Sequence, residues 1–145
     1  MLTMYPACFF KDEDGYSVFF PDLEGGNLAT CGKNLEEAMA MAVDCLAGYI
    51  HLSWELNDEI PLASKIETID IEEYAREMFD EEDGDYEEAF VNMISVDVKA
   101  YAKEHFEKSV KKTLTIPAWL NDVALERNIN FSQVLQEALL TKIRA

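Results

Sequence analysis

The sequence predicts an α+β chain in two parts: a small antiparallel sheet packed on one long helix, then a tail of one strand and two short helices. Three observations predict it. Residues 4–10 and 16–20 are runs of aromatic and β-favouring residues separated by the polar turn KDEDG, the pattern of a hairpin. Residues 35–54 carry apolar side chains at three-four spacing, the pattern of a helix with one buried side. The charge also changes sign along the chain. Residues 1–98 hold four basic and 24 acidic side chains, a net of −20, whereas residues 99–145 hold eight basic and five acidic ones, a net of +3. The expected organisation is an acidic domain over 1–100, a linker over 101–108 and a tail domain over 109–145.

The elements follow in order. Pro6, early in the first apolar run, suggests an edge strand or a strand start, because proline cannot donate to a ladder. PDLEGGN closes the second strand, and LATCG (28–32) has the makings of a short third one. Asn34 caps the long helix, with Glu37 placed to complete a capping box. Leu35, Ala38, Met39, Ala42, Val43, Leu46, Ala47, Ile50 and Trp54 form its apolar stripe, and Asn57-Asp58 and Pro61 end it. In the acidic stretch 67–88, Ile71, Tyr74, Ala75, Met78 and Phe79 keep helical spacing, which places a short helix near 70–79. EEDGD (81–85) suits a solvated loop. Residues 89–98 suit a strand that joins the hairpin sheet, and 101–109 suit a linker or short helix.

In the tail, KKTLTIP alternates. Leu114 and Ile116 share one face, and Lys111, Thr113 and Thr115 the other. Pro117 suits the first turn of a helix whose apolar side is Leu120, Val123 and Ala124. Asn128 suits a left-handed cap. Asn130 caps a second helix, with Gln133 at the reciprocal capping-box position and the stripe Phe131, Val134, Leu135, Ala138, Leu139 and Ile143. One strand and two helices in so short a segment cannot bury enough area alone, and a lone strand leaves unpaired edges. Two copies pairing their strands antiparallel remove both problems, and a two-stranded ribbon fits the DNA major groove.

With these residues the tail resembles a ribbon-helix-helix DNA-binding domain: the strand KKTLTIP, the turn NIN (128–130) and the helix start FSQVLQEAL (131–139). The resemblance implies that Lys111, Thr113 and Thr115 contact base edges. It also implies that the amides near Asn130 and Ser132, at a helix N-terminus, hold a phosphate. The front half resembles the HicB antitoxins of HicAB toxin–antitoxin systems in YPACF (5–9), DGYSVFFPDLEG (14–25), Thr30 and Gly32, and NLEEAM (34–39). That resemblance implies a partial RNase H-like front domain. It further implies an antitoxin that neutralises a HicA-type, RNA-cleaving toxin and represses its own operon as a homodimer formed through the tail, with higher oligomers left open.

Two other function classes are alternatives. A metal-dependent nuclease on the front domain needs several carboxylates in one rigid cluster, but Asp12, Asp14 and Asp22 sit in turns beside strands. A ligand-sensing ribbon-helix-helix repressor is the other. The expectation is a binding protein and not an enzyme, with no catalytic residues, cofactor or metal. His51 and His105 lack zinc-site spacing and read as partly exposed structural residues. Cys8, Cys31 and Cys45 read as reduced thiols in a cytoplasmic protein. No apolar run is long enough to span a bilayer, and the acidity argues against an anionic membrane surface. Taken whole, the charge of −17 argues against nucleic acid; taken by segment, it does so only for the front, and it suggests a basic protein partner there.

Overall fold

A computed structural model describes residues 1–79, 86–107 and 109–144. The EEDGD segment lies outside the described residues. The chain divides into two compact units, Met1–Lys108 and Ser109–Ala145.

The front unit is built on a four-stranded antiparallel sheet of order β3-β2-β1-β4, formed by β1 (Thr3–Asp12), β2 (Gly15–Phe20), β3 (Leu28–Gly32) and β4 (Glu88–Val96). The β1–β2 turn is locked by Asp12, whose Oδ1 accepts from the amides of Asp14 (2.8 Å) and Gly15 (3.1 Å). Gly15 adopts φ 140°, a conformation closed to most other residues. Strand alternation sends Tyr5, Ala7 and Phe9 to one face of the sheet, and Cys8 and Phe10 to the other.

The helix α1 (Leu35–Glu55) packs on the first face, where Ala38, Ala42, Leu46, Ala47 and Ile50 join Phe9, Val18, Phe20 and Leu23 in the main core. Asn34 Oδ1 accepts from Glu37 N at 2.8 Å, as expected of the cap, but the Glu37 carboxylate reaches one residue further back than a capping box requires and accepts from the Lys33 amide. Glycine is required where β3 meets this helix: a Cβ on Gly32 would lie 2.7 Å from Ala38 Cα. At the other end Asn57 turns left-handed with φ 54°, and Asp58 N donates back to Ser53 O, closing the helix.

The second face is covered by the acidic insert. Its helix α2 (Ile71–Met78), capped by Asp70, lays Ile71, Tyr74 and Ala75 against an aromatic cluster centred on Phe10. Phe19, Tyr74, Phe79 and Tyr86 surround that ring at centroid distances of 6.0, 6.4, 5.1 and 5.1 Å. The acidic side chains of α2 remain on its outer side, as an amphipathic helix demands.

Four expectations need correction. Pro6 lies in a central strand, not an edge strand, and faces Met93 of β4. It is tolerated because the β1–β2 ladder begins only at Cys8, so at Pro6 the strand is flanked on one side. Val98 belongs not to the fourth strand but to a helix, α3 (Val98–His105). Asp97 ends the strand there by accepting from Ala100 N. The strand expected in KKTLTIP (111–117) is not formed within the single chain: a strand exists only through a ladder partner, and no described segment of this chain pairs with it. Pro117 stands one residue before its helix; at ψ 140° it is extended, and its carbonyl accepts the first bonds from Leu120 and Asn121.

The tail unit consists of α4 (Ala118–Glu126) and α5 (Phe131–Arg144). Between them Asn128 adopts φ 54°, while Ile129 N donates to Ala124 O and Asn128 N to Leu125 O. This is the left-handed helix end that the sequence suggests.

Candidate functional site

Lys111, Thr113 and Thr115 lie in the extended segment before α4, and all three are exposed. Asn130 caps α5: its Oδ1 accepts from Gln133 N at 3.1 Å, and its carbonyl accepts from Val134 N. Ser132 is exposed in the first turn of the same helix. The helix start therefore presents backbone donors and no acidic side chain in its first turn. Its last turn carries Lys142 and Arg144.

The apolar content of this unit has no core to occupy. Ala124 is its one buried residue among those described. Leu114 is 63% exposed and Trp119 68%, and Ile116, Leu120, Val123, Phe131, Val134 and Ile143 are exposed as well. The stripes expected on α4 and α5 are present in sequence, yet the single chain leaves most of each uncovered.

In the front unit Asp12, Asp14 and Asp22 do not converge on one site. Asp12 is engaged in the β1–β2 turn, at one end of β2. Asp22 follows the opposite end, a strand length of roughly 17–20 Å away. Both Asp22 oxygens accept from Ser64, one from its amide at 2.8 Å and one from its hydroxyl at 2.6 Å. Tyr5 O–H donates to the Pro61 carbonyl beside it. Asp22 thus straps the start of the insert to the sheet. Tyr74 O–H adds a second anchor by donating to the Gly26 carbonyl. Neither anchor was foreseen, because partners 42 and 48 residues apart leave no local pattern. Among the described residues, no group of three or more His, Cys, Asp or Glu could hold a metal ion.

The histidines are structural and partly exposed. His51 lies against Phe106, and His105 stacks on Tyr101 at 4.1 Å. The cysteines are free and do not meet: Cys8 packs on the α2 face of the sheet, Cys45 on the α1 face, and Cys31 is exposed. Burial, with the Asp22 carboxylate adding, pushes the Cys8 thiol up to about 12 from 9.0. Burial and Asp44 push Cys45 up to about 11. Because the thiolate is the nucleophile, iodoacetamide at pH 8 is expected to label Cys31 first in the native protein, with Cys8 labelled only on unfolding; mass spectrometry of timed digests checks this. The raised thiols also set a direction for stability. Their contribution is complete below about pH 9 and is lost as pH rises to about 12, since the unfolded chain ionises first.

Comparison with known proteins places these surfaces in context. The family model described as "HicB_like antitoxin of bacterial toxin-antitoxin system" matches residues 5–139. A chain of a toxin–antitoxin complex from Streptococcus pneumoniae is similar over 98% of this chain and 99% of its own, with TM-score 0.64 and 34% identity. The antitoxin HicB 2 of Photorhabdus laumondii is 42% identical over 60 residues, 41% of this chain and 42% of that protein. An uncharacterized 14.9 kDa protein from the rep-hol intergenic region of Haemophilus phage HP1 is 29% identical over 81% of this chain and 75% of its own length.

Proposed function

The chain belongs to the HicB-like antitoxin family of bacterial toxin–antitoxin systems, and from that premise we propose that its two units carry two separate tasks. The acidic front unit binds and neutralises a HicA-type, RNA-cleaving toxin. The tail dimerises as a ribbon-helix-helix domain and binds the operator of its own operon in the bacterial cytoplasm. The front unit is read as partial RNase H-like, which three consecutive antiparallel strands leading into one long helix support.

One observation carries the tail's role: among its described residues it buries Ala124 alone while Leu114, Ile116, Leu120, Val123, Phe131 and Val134 stay open to solvent. A 37-residue unit with that exposure is not stable by itself. A second copy supplies both the missing strand partner for KKTLTIP (111–117) and the cover for the helices. In the paired ribbon Leu114 and Ile116 turn inward, so Lys111, Thr113 and Thr115 of both copies line the outer face. The donors at the start of α5 then sit where a phosphate binds.

The front unit's role follows from charge. Its 24 acidic side chains face four basic ones. A protein that grips RNA presents a basic surface, and an acidic cover speeds encounter and competes with RNA for that surface. Gel-shift titration of the full-length protein on its own promoter and on random DNA tests the repressor role, and preference for the promoter is expected. Lys111→Ala and Thr113→Ala are expected to cost about 1–3 kcal/mol each on the promoter while changing random-sequence binding less. Equal losses on both DNAs would reduce these residues to backbone contacts.

A further inference from the structure

The outer edge of β4 has no ladder partner among the described residues, because β4 pairs with β1 and ends the sheet. Its amides on that side are identifiable. Met93 N donates to the Asn92 side chain at 3.0 Å, and the residue facing Met93 is Pro6, which has no N–H to return. Asp12 and Gly15 flank a two-residue turn and so bond each other, which turns the main chain of the even-numbered β1 residues toward β2; Met93, facing Pro6, therefore points its amide away from β1, and by strand alternation Val91 and Ser95 do the same. Natural edges are usually guarded by lysine, proline, a bulge or shortness. This one is nine residues long and carries no charge from Ala89 to Val96. In a domain of net −20, that is an unusual gap.

The ends of the edge indicate what fits it. Glu87 and Glu88 precede the uncharged run and Asp97 follows it, although Asp97 also caps α3 and pairs with the Met1 amine at 3.5 Å. Two β4 strands paired antiparallel about Asn92 would set Glu87 against Asp97 at both ends of the ribbon. Like charges opposed across a pair are destabilising, so a second copy is disfavoured. A basic partner is favoured at both ends. The opposite edge, β3, is a poorer candidate: it is five residues long and runs into Lys33.

We propose that β4 is the docking strand for the basic toxin, an extended segment of which adds to the sheet as a fifth strand through main-chain bonds to Val91, Met93 and Ser95. This rests on the toxin-neutralising reading of the front unit. The test is amide hydrogen exchange on the full-length protein, free and in complex with the toxin encoded beside it. The amides of Val91, Met93 and Ser95 exchange fast in the free protein and at least about tenfold more slowly in the complex, whereas Ile94, facing Tyr5 of β1, changes less. Toxin that binds and leaves those three amides fast overturns the docking strand and spares the antitoxin reading. Toxin that does not bind overturns both. Protection in the free protein that grows with its own concentration gives the edge to a second copy and also overturns the proposal.

A variant gives the same answer independently. Ser95 is exposed, so Ser95→Pro removes an outward amide and leaves the β1 ladder its bonds. It is expected to weaken toxin binding by about tenfold or more with unchanged operator binding and an unchanged thermal melt, while Ser95→Ala binds as the parent does. A folded Ser95→Pro protein with parental toxin affinity overturns the proposal.

Discussion

Removing residues 109–145 is expected to convert a dimer into a monomer and to abolish operator binding, a loss of about 10³-fold or more over the full-length protein. The front unit keeps its own core, built from Phe9, Phe20, Leu23, Leu46 and Ile50, so the truncated chain should stay folded. It also keeps its net charge of −20 over residues 1–98, which repels DNA once the tail is gone. Sedimentation velocity reports the oligomeric state and gel shift the DNA binding. A truncated chain that remains a dimer at micromolar concentration would move the main interface into the front unit. The same experiment separates the two tasks, because toxin binding should survive truncation.

Phe10→Ala is expected to destabilise the front unit by about 3–5 kcal/mol, the usual cost of truncating a buried phenylalanine. Phe10 is 3% exposed and sits among Phe19, Tyr74, Phe79 and Tyr86, so the cavity would be lined by rings with few ways to collapse. The loss should fall first on the insert. Two polar anchors hold that segment, Asp22 to Ser64 at its start and Gly26 to Tyr74 within α2, but the aromatic cluster supplies the area that keeps α2 on the sheet. Thermal denaturation gives the size of the effect, and amide exchange in α2 shows its location. A loss spread evenly over β1, β2 and α1, with α2 no more affected, would contradict that assignment. Comparison with Phe9→Ala, on the other face and stacked at 4.9 Å on Phe90, would show whether the two faces fail together.

The parts of this fold that were legible in the sequence are those whose causes are local. The capping box at Asn34 and Glu37, the apolar stripe of α1, the left-handed Asn128 and the cap at Asn130 each depend on residues within one or two turns. Both caps and the left-handed turn stand where expected, while the reciprocal bonds differ: Glu37 accepts from the Lys33 amide, and the Gln133 side chain donates to Glu137. What was not legible depends on distant partners. Pro6 looks like an edge residue until Met93 of β4, 87 residues on, returns to lie beside it. The apolar spacing of the insert announces a helix, but only the sheet's second face explains what it covers. Val98 continues an apolar run by composition, yet the Asp97 cap makes it the start of a helix.

The tail poses the same problem in a different form. Its alternation at 111–116 is a strand pattern, and a single chain contains no partner for it. In the proposed dimer a second molecule completes that pattern. Alternation puts Lys111, Thr113 and Thr115 on one face, the resemblance to a ribbon-helix-helix domain implies their DNA contacts, and all three are exposed in the single chain. The front unit's partner surface was legible as a charge imbalance alone. Its specific feature, an uncharged edge between acidic ends, needed the sheet order to be known.

The most direct test of the two-task account is an RNA-cleavage assay in which the toxin encoded beside this chain is titrated with the fragment 1–108. The account predicts that cleavage stops near one fragment per toxin and returns as salt is raised, because the attraction between acidic cover and basic enzyme is screened. Undiminished cleavage in the presence of a folded fragment, while the full-length chain still inhibits, would contradict it by placing the neutralising surface in the tail.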